Sequence, residues 1–152
     1  PYRGRKGQIW EGGHRVPFLF AWPGQIAAGT VSHTVTLTDI FPTVAAGMGV
    51  PLPEGAAVDG VNLLDWLRPD PPSGPVRPAT VHVGRAGGHW ALRSGPWKLV
   101  RLGEEPPLLF NVDTDPGEAT DRAAEHPELV TRMSSDLDRY LGGEPTGGSH
   151  VR

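Results

Sequence analysis

The stretch RPDPPSGPVRP, residues 68–78, separates two apolar periodicities that cannot belong to one element, and this break limits the folds open to the chain. Proline fixes φ and has no N–H to give to a helix or a sheet ladder. No regular element therefore runs through five prolines in eleven residues, and the segment is expected to be a linker. Beyond it the pattern alternates with period two in ATVHV, HWALRS, WKLVRL and PLLFNV, broken by Gly-Gly, Gly-Pro and Glu-Glu-Pro-Pro. That pattern predicts a four-stranded antiparallel meander. HPELVTRMSSDLDRYL follows, with Pro127 at the first helical position and Leu129, Val130, Met133, Leu137, Tyr140 and Leu141 on one side. It predicts a helix covering one face of the sheet.

Before the linker the apolar runs are continuous or helical. VPFLFAW, Val16 to Trp22, closes at Pro23-Gly24 and reads as a strand buried on both faces. In LTDIFPTVAAGMGV, Leu37, Ile40, Phe41, Val44 and Met48 fall near helical spacing. A helix of about three turns is expected there, with Thr38 as cap, Pro42 in its first turn and Gly47 or Gly49 as its stop. DGVNLLDWL, Asp59 to Leu67, predicts a shorter helix. The expected layout is an α/β chain: an α/β layer over residues 1–67, the linker at 68–78, a small α+β unit at 79–141 and a disordered tail at 142–152.

Charge and composition exclude several function classes. A formal charge of -3 leaves no basic stripe to neutralise phosphates, so nucleic acid is not an expected partner. With no cysteine, these residues hold no disulfide framework, thiolate zinc site or cysteine nucleophile. No apolar run approaches the roughly 20 residues of a membrane helix, and no membrane partner is expected. Opening at Pro1 inside a Gly/Arg-rich loop, the chain reads as a piece of something longer.

That loop, GRKGQIWEGGHRVP, carries the chemistry. Lys6, flanked by Gly4 and Gly7 just before an apolar run, can present its ammonium to an anion at a strand end. On the residues alone, the favoured reading is a solvated surface lysine. Glu11, Gly12, Gly13 and Arg15 read as a tight turn whose carboxylate and guanidinium pair or cap backbone groups. Trp10 reads as packing, and His14 either lines the same pocket as Lys6 or sits on the surface. Histidines 14, 33, 82, 89, 126 and 150 show no metal-ligand spacing, so no metal site is expected. DTDPGEATD departs from the EF-hand pattern at Gly117 and Glu118 and predicts a turn with side-chain caps.

The lysine loop closely resembles the corresponding segment of the type I, formylglycine-dependent sulfatases of the alkaline-phosphatase-like superfamily. The shared pattern is Lys, four spacers, Glu-Gly-Gly, any residue, Arg, any residue, Pro. TDIFPTVAAGMGV, DGVNLL, ALRSGPWKLV, LFNVDTDPGE and HPELV resemble successive segments of that family's C-terminal half, in order. The resemblance implies the C-terminal end of a sulfatase catalytic domain followed by an antiparallel-sheet subdomain. It gives Lys6 the role of hydrogen-bond donor to the sulfate group, and Glu11, Gly12, Gly13, Arg15 and Pro17 that of shaping the loop. It further implies a sulfated small molecule or sulfated carbohydrate as substrate, and a periplasmic or secreted setting. A divalent cation, usually calcium, and the formylglycine would be held by an upstream part of the same chain. SGPVR, Ser73 to Arg77, differs from the serine form of the nucleophile motif only at Val76. Its place inside the linker, with no helix after it, argues against that role. The fragment alone is expected to be inactive. Two other readings stand beside this one: a phosphonate or phosphate monoester hydrolase, and a non-catalytic module in which Trp90 and Trp97 contact a sugar.

Overall fold

The computed structural model describes residues 2–142. Three helices, α1 (Glu11–His14), α2 (Ile40–Gly47) and α3 (Pro127–Leu141), accompany four strands, β1 (Thr80–Val83), β2 (His89–Ser94), β3 (Trp97–Leu102) and β4 (Leu108–Asn111). By its contacts the chain divides into two units. One joins the opening residues through Pro17 to those from Ala79 onward; the other is Phe18–Pro78. All but Gly142 of the expected tail lies outside the described residues.

The first unit is built on the antiparallel meander β1-β2-β3-β4. Its register sets Leu92 opposite Leu99 and Leu99 opposite Leu109, so one face carries a leucine row. Met133 and Leu137 of α3 complete that cluster, with Trp90, Trp97, Leu129, Val130 and Tyr140 packed around it. Burying each such aliphatic side chain contributes about 1.5–3 kcal/mol. Sheet, helix and covered face are as the alternation predicts. Both tryptophans serve as packing, and the Trp97 ring meets His126 edge-on at 4.7 Å. The opposite face presents Ala91, Val100, Phe110 and Val112, and there the opening loop inserts Ile9.

The second unit departs from expectation in three places. Val16 to Trp22 forms no strand, and Leu19 is 89% exposed. A strand buried on both faces needs neighbours to pair with, and among the described residues none pairs with this run. The central helix is only eight residues long and is entered through a 3-10 turn, Leu37–Asp39. Thr36, whose N–H donates to Asp39 Oδ2 at 2.8 Å, caps the 3-10 turn and Asp39 is the N-cap residue of α2, so Thr38 is the cap of neither. The short helix expected after Asp59 shrinks to a 3-10 turn, Leu64–Leu67. The cause is competition for backbone donors: Val61 N–H goes to Asp39 Oδ1 at 2.9 Å and Leu63 N–H to Thr43 Oγ1 at 2.9 Å. Asp39 is fully buried and is also paired with Arg77, which gives that linker arginine a structural task.

Candidate functional site

Lys6 rides a tight turn closed by its neighbours. Gln8 N–H donates to the Arg5 carbonyl at 3.0 Å, and Gln8 Oε1 accepts from Arg5 N–H at 3.0 Å. Gly4 (φ +80°) and Gly7 (φ +87°) bracket the turn in backbone conformations that L side chains rarely adopt. The lysine side chain is exposed. Downstream the chain folds back on itself: Gly12 N–H reaches the Arg3 carbonyl at 2.7 Å. A Cβ on Gly12 would lie 2.6 Å from the Arg3 and Gly4 carbonyl oxygens, and one on Gly13 would lie 2.0 Å from the Gln8 carbonyl oxygen. The two glycines are required by space. Trp10 anchors the loop, edge-on to Phe110 at 6.0 Å and under the Arg3 guanidinium at 3.5 Å.

Beneath this loop lies a buried charge cluster. Lys98 and Glu118 are wholly buried and Glu11 nearly so. Lys98 Nζ donates to Glu11 Oε1 at 3.1 Å and lies 2.9 Å from Glu118 Oε1. Arg93 Nη1 donates to Glu11 Oε2 at 3.2 Å and its Nη2 to Asp113 Oδ1 at 3.3 Å. Glu118 Oε2 accepts the Glu11 N–H at 2.7 Å, and the Glu118 carbonyl accepts from Arg3 at 3.0 Å. Glu118 holds φ at +50°, a costly conformation for a residue with a Cβ, and these bonds maintain it. Burial alone would raise the Glu11 carboxyl, but the adjacent Lys98 and Arg93 charges overcome it and hold the group below its ordinary range. Arg15 is peripheral, half-exposed at 3.8 Å from Glu11.

Sequence reasoning found Glu11 and missed its partners. A signal was present in WKLVRL, because alternation places Lys98 on the face of Val100, opposite Leu99. The sheet's second face carries Ala91, Val100 and Phe110 and so must also be covered. A lysine on that face needs a buried acid. His14 is not at the Lys6 turn: it is half-buried against His82, with ring centroids 4.7 Å apart, and the Nε2 of each is buried without a partner. Burial, aided by His14 and Lys98, pushes His82 down to about 4. The acidic segment 113–121 caps its own turn as expected, Asp115 Oδ2 accepting from Ala119 and Thr120 N–H at 2.8 and 2.9 Å.

A cleft of about 520 Å³ opens beside Lys6, lined among others by Arg5, Gln8, Trp10, Arg85 and His89. The β1–β2 turn is laced to the lysine turn by Arg85 N–H to the Gly7 carbonyl at 2.7 Å. Among the described residues no group of three or more His, Asp or Glu is placed to hold a metal ion. No helix follows Ser73; the next regular element is β1.

The family model described as Sulfatase matches residues 1–50. The mouse steryl-sulfatase is 32% identical over 169 residues, covering 90% of this chain and 26% of that protein. A solved structure concerned with glycosaminoglycan metabolism by Bacteroides thetaiotaomicron aligns with TM-score 0.80 and 29% identity, over 93% of this chain and 32% of that one. Another, Ps i-CgsB in complex with k-i-k-neocarrahexaose, aligns with TM-score 0.79 and 30% identity, over 92% and 32%. The chain thus spans between a quarter and a third of these relatives.

Proposed function

The chain belongs to the sulfatase family, and from that premise we propose that it forms the C-terminal portion of a sulfate-ester hydrolase in which Lys6 Nζ donates to an oxygen of the transferring sulfuryl group. The observation that carries this reading is the placement of Lys6, exposed at an open cleft on a loop whose base is pinned by the Glu11–Lys98–Glu118 cluster. A compact ammonium suits this task, since a single oxygen needs one charge-assisted donor as negative charge moves toward the leaving alkoxide. Glu11, Gly12, Gly13 and Arg15 shape the loop that aims it.

Lys6 does not suffice. One charge-assisted hydrogen bond is worth roughly 1.5–3 kcal/mol, whereas enzymes lower barriers by about 8–23 kcal/mol. The divalent cation and formylglycine expected of the family do not fit the described residues, so they are assigned to an upstream part of the protein and no step is drawn through them. The 152-residue chain alone is accordingly expected to be inactive. A sulfated carbohydrate is the favoured substrate, supported by the neocarrahexaose complex and the glycosaminoglycan setting of two structural relatives. A sulfated small molecule is the second reading, supported by the steryl-sulfatase likeness. Among the described residues no helix is long and apolar enough to cross a membrane; a periplasmic or secreted location goes with the carbohydrate reading.

The test is turnover of an aryl sulfate by the full-length enzyme. Lys6→Ala is expected to lower kcat/KM by about 10²–10³-fold, chiefly in kcat. An unchanged kcat removes Lys6 from the reaction, and turnover of aryl phosphonates in preference to sulfates would favour phosphonate hydrolysis.

A further inference from the structure

The cleft beside Lys6 holds more positive charge than one sulfate ester requires. Arg5, Lys6 and Arg85 all face it, His89 joins them from the start of β2, and its lining contains no carboxylate. Among the described residues, the side chains of Arg5, Lys6 and Arg85 form no ion pair, although most other arginines of this unit do. In a chain of net charge -3, three unpaired cations around one concavity make a local positive potential that draws anions.

Arg85 is also held in place. Its N–H donates to the Gly7 carbonyl at 2.7 Å, and a Cβ added to Gly7 would meet the Arg85 Cβ and Cδ at 3.5 and 3.6 Å. The turn carrying Arg85 is closed by Gly84 N–H to the His89 carbonyl at 2.9 Å, which sets His89 beside it. A Cβ on Gly84 would lie 2.9 Å from the His89 Cβ, so the turn is tight against its own strand. Backbone geometry therefore anchors the root of the Arg85 side chain beside the lysine turn, and its planar fork suits a second oxyanion.

We propose that Arg85, with Arg5 and His89, forms a subsite for a second anionic group, sulfate or carboxylate, on the sugar next to the one whose ester Lys6 contacts. The preferred substrate is then a polyanionic oligosaccharide rather than a singly sulfated one. This rests on the sulfate-binding reading of Lys6 and adds a specificity-determining site to it.

The experiment is equilibrium binding by fluorescence anisotropy, with the 152-residue chain at sub-micromolar concentration and low salt. Three labelled probes are used: a neutral disaccharide with one sulfate, its disulfated counterpart, and the monosulfated form bearing a uronic carboxylate. Both doubly charged probes are expected to bind about tenfold more tightly than the singly charged one. Arg85→Gln should abolish that preference, costing the doubly charged probes more than the monosulfated one, and Lys6→Gln should weaken all three alike. Arg85 is exposed, so its replacement leaves the fold intact. Equal affinity for the three wild-type probes, no binding of any, or a preference that survives Arg85→Gln overturns the subsite. Binding reads the cleft whether or not an ester is cleaved, so the turnover assay with Lys6→Ala can fail separately.

Discussion

Lys98 is the residue on which the candidate site depends most. Its ammonium is shared by two buried carboxylates, and its removal leaves Glu118 without a counter-charge and Glu11 with only Arg93 and the peripheral Arg15. Lys98→Met is expected to destabilise the sheet unit by about 3–5 kcal/mol in urea unfolding, and adding Glu118→Gln should restore part of the loss. If the single variant unfolds at the wild-type midpoint, the cluster does not hold the loop. The His14–His82 pair provides a second test. The unfolded chain protonates His82 near 6.5, the folded one only at about 4, so low pH favours unfolding. Stability is fully present above pH 6.5 and is lost as pH falls toward 4, by on the order of 3 kcal/mol at most. Thermal melts between those values should show the slope, and His82→Gln should flatten it; an equal slope in the variant would assign the effect to other groups.

Among the elements, sheet and covering helix were legible because each satisfies its own pattern locally. Alternation defines β1 to β4, and Pro127 with the leucine stripe defines α3. The elements that failed depend on partners distant in sequence or not among the described residues. Val16 to Trp22 has the composition of a strand and, among the described residues, nothing to pair with, while residues 61 and 63 give their N–H groups to Asp39 and Thr43. The site divides likewise: Lys6 and Glu11 were visible in the loop's own residues, whereas Arg85, Arg93, Lys98 and Glu118 join it only through the sheet's register. For the loop as an element, Gly13→Ala is the sharpest probe. The new methyl would lie 2.0 Å from the Gln8 carbonyl oxygen, so the turn under Lys6 must open. A loss of about 1–3 kcal/mol in stability is expected, together with a drop of more than about tenfold in full-length turnover. Wild-type turnover in this variant would show that the turn tolerates rearrangement without misdirecting the lysine.

At the scale of the whole molecule, apolar exposure is concentrated in residues 18–78. Leu19 is 89% exposed, Met48 71%, Leu37 66% and Phe41 56%, while the buried positions of α2 are Pro42, Thr43 and Ala45. The helical stripe read from the sequence thus faces outward, and the chain spans only a quarter to a third of the relatives it resembles; a contiguous apolar surface of this kind marks an interaction face. At micromolar concentration and above, the isolated chain should sediment as associating species, and Leu19→Ser with Phe41→Ser should shift it toward monomer. A concentration-independent monomer with one sharp melt would contradict this. The bond from Glu11 N–H to Glu118 spans 107 positions of chain, which has a consequence during synthesis. The lysine turn leaves the ribosome long before the residues that shape it have been translated, so Lys6 is positioned only once Glu118 has emerged. A premature stop codon anywhere between Pro78 and Glu118 would yield a polypeptide that carries the lysine loop but lacks the residues that set its aim.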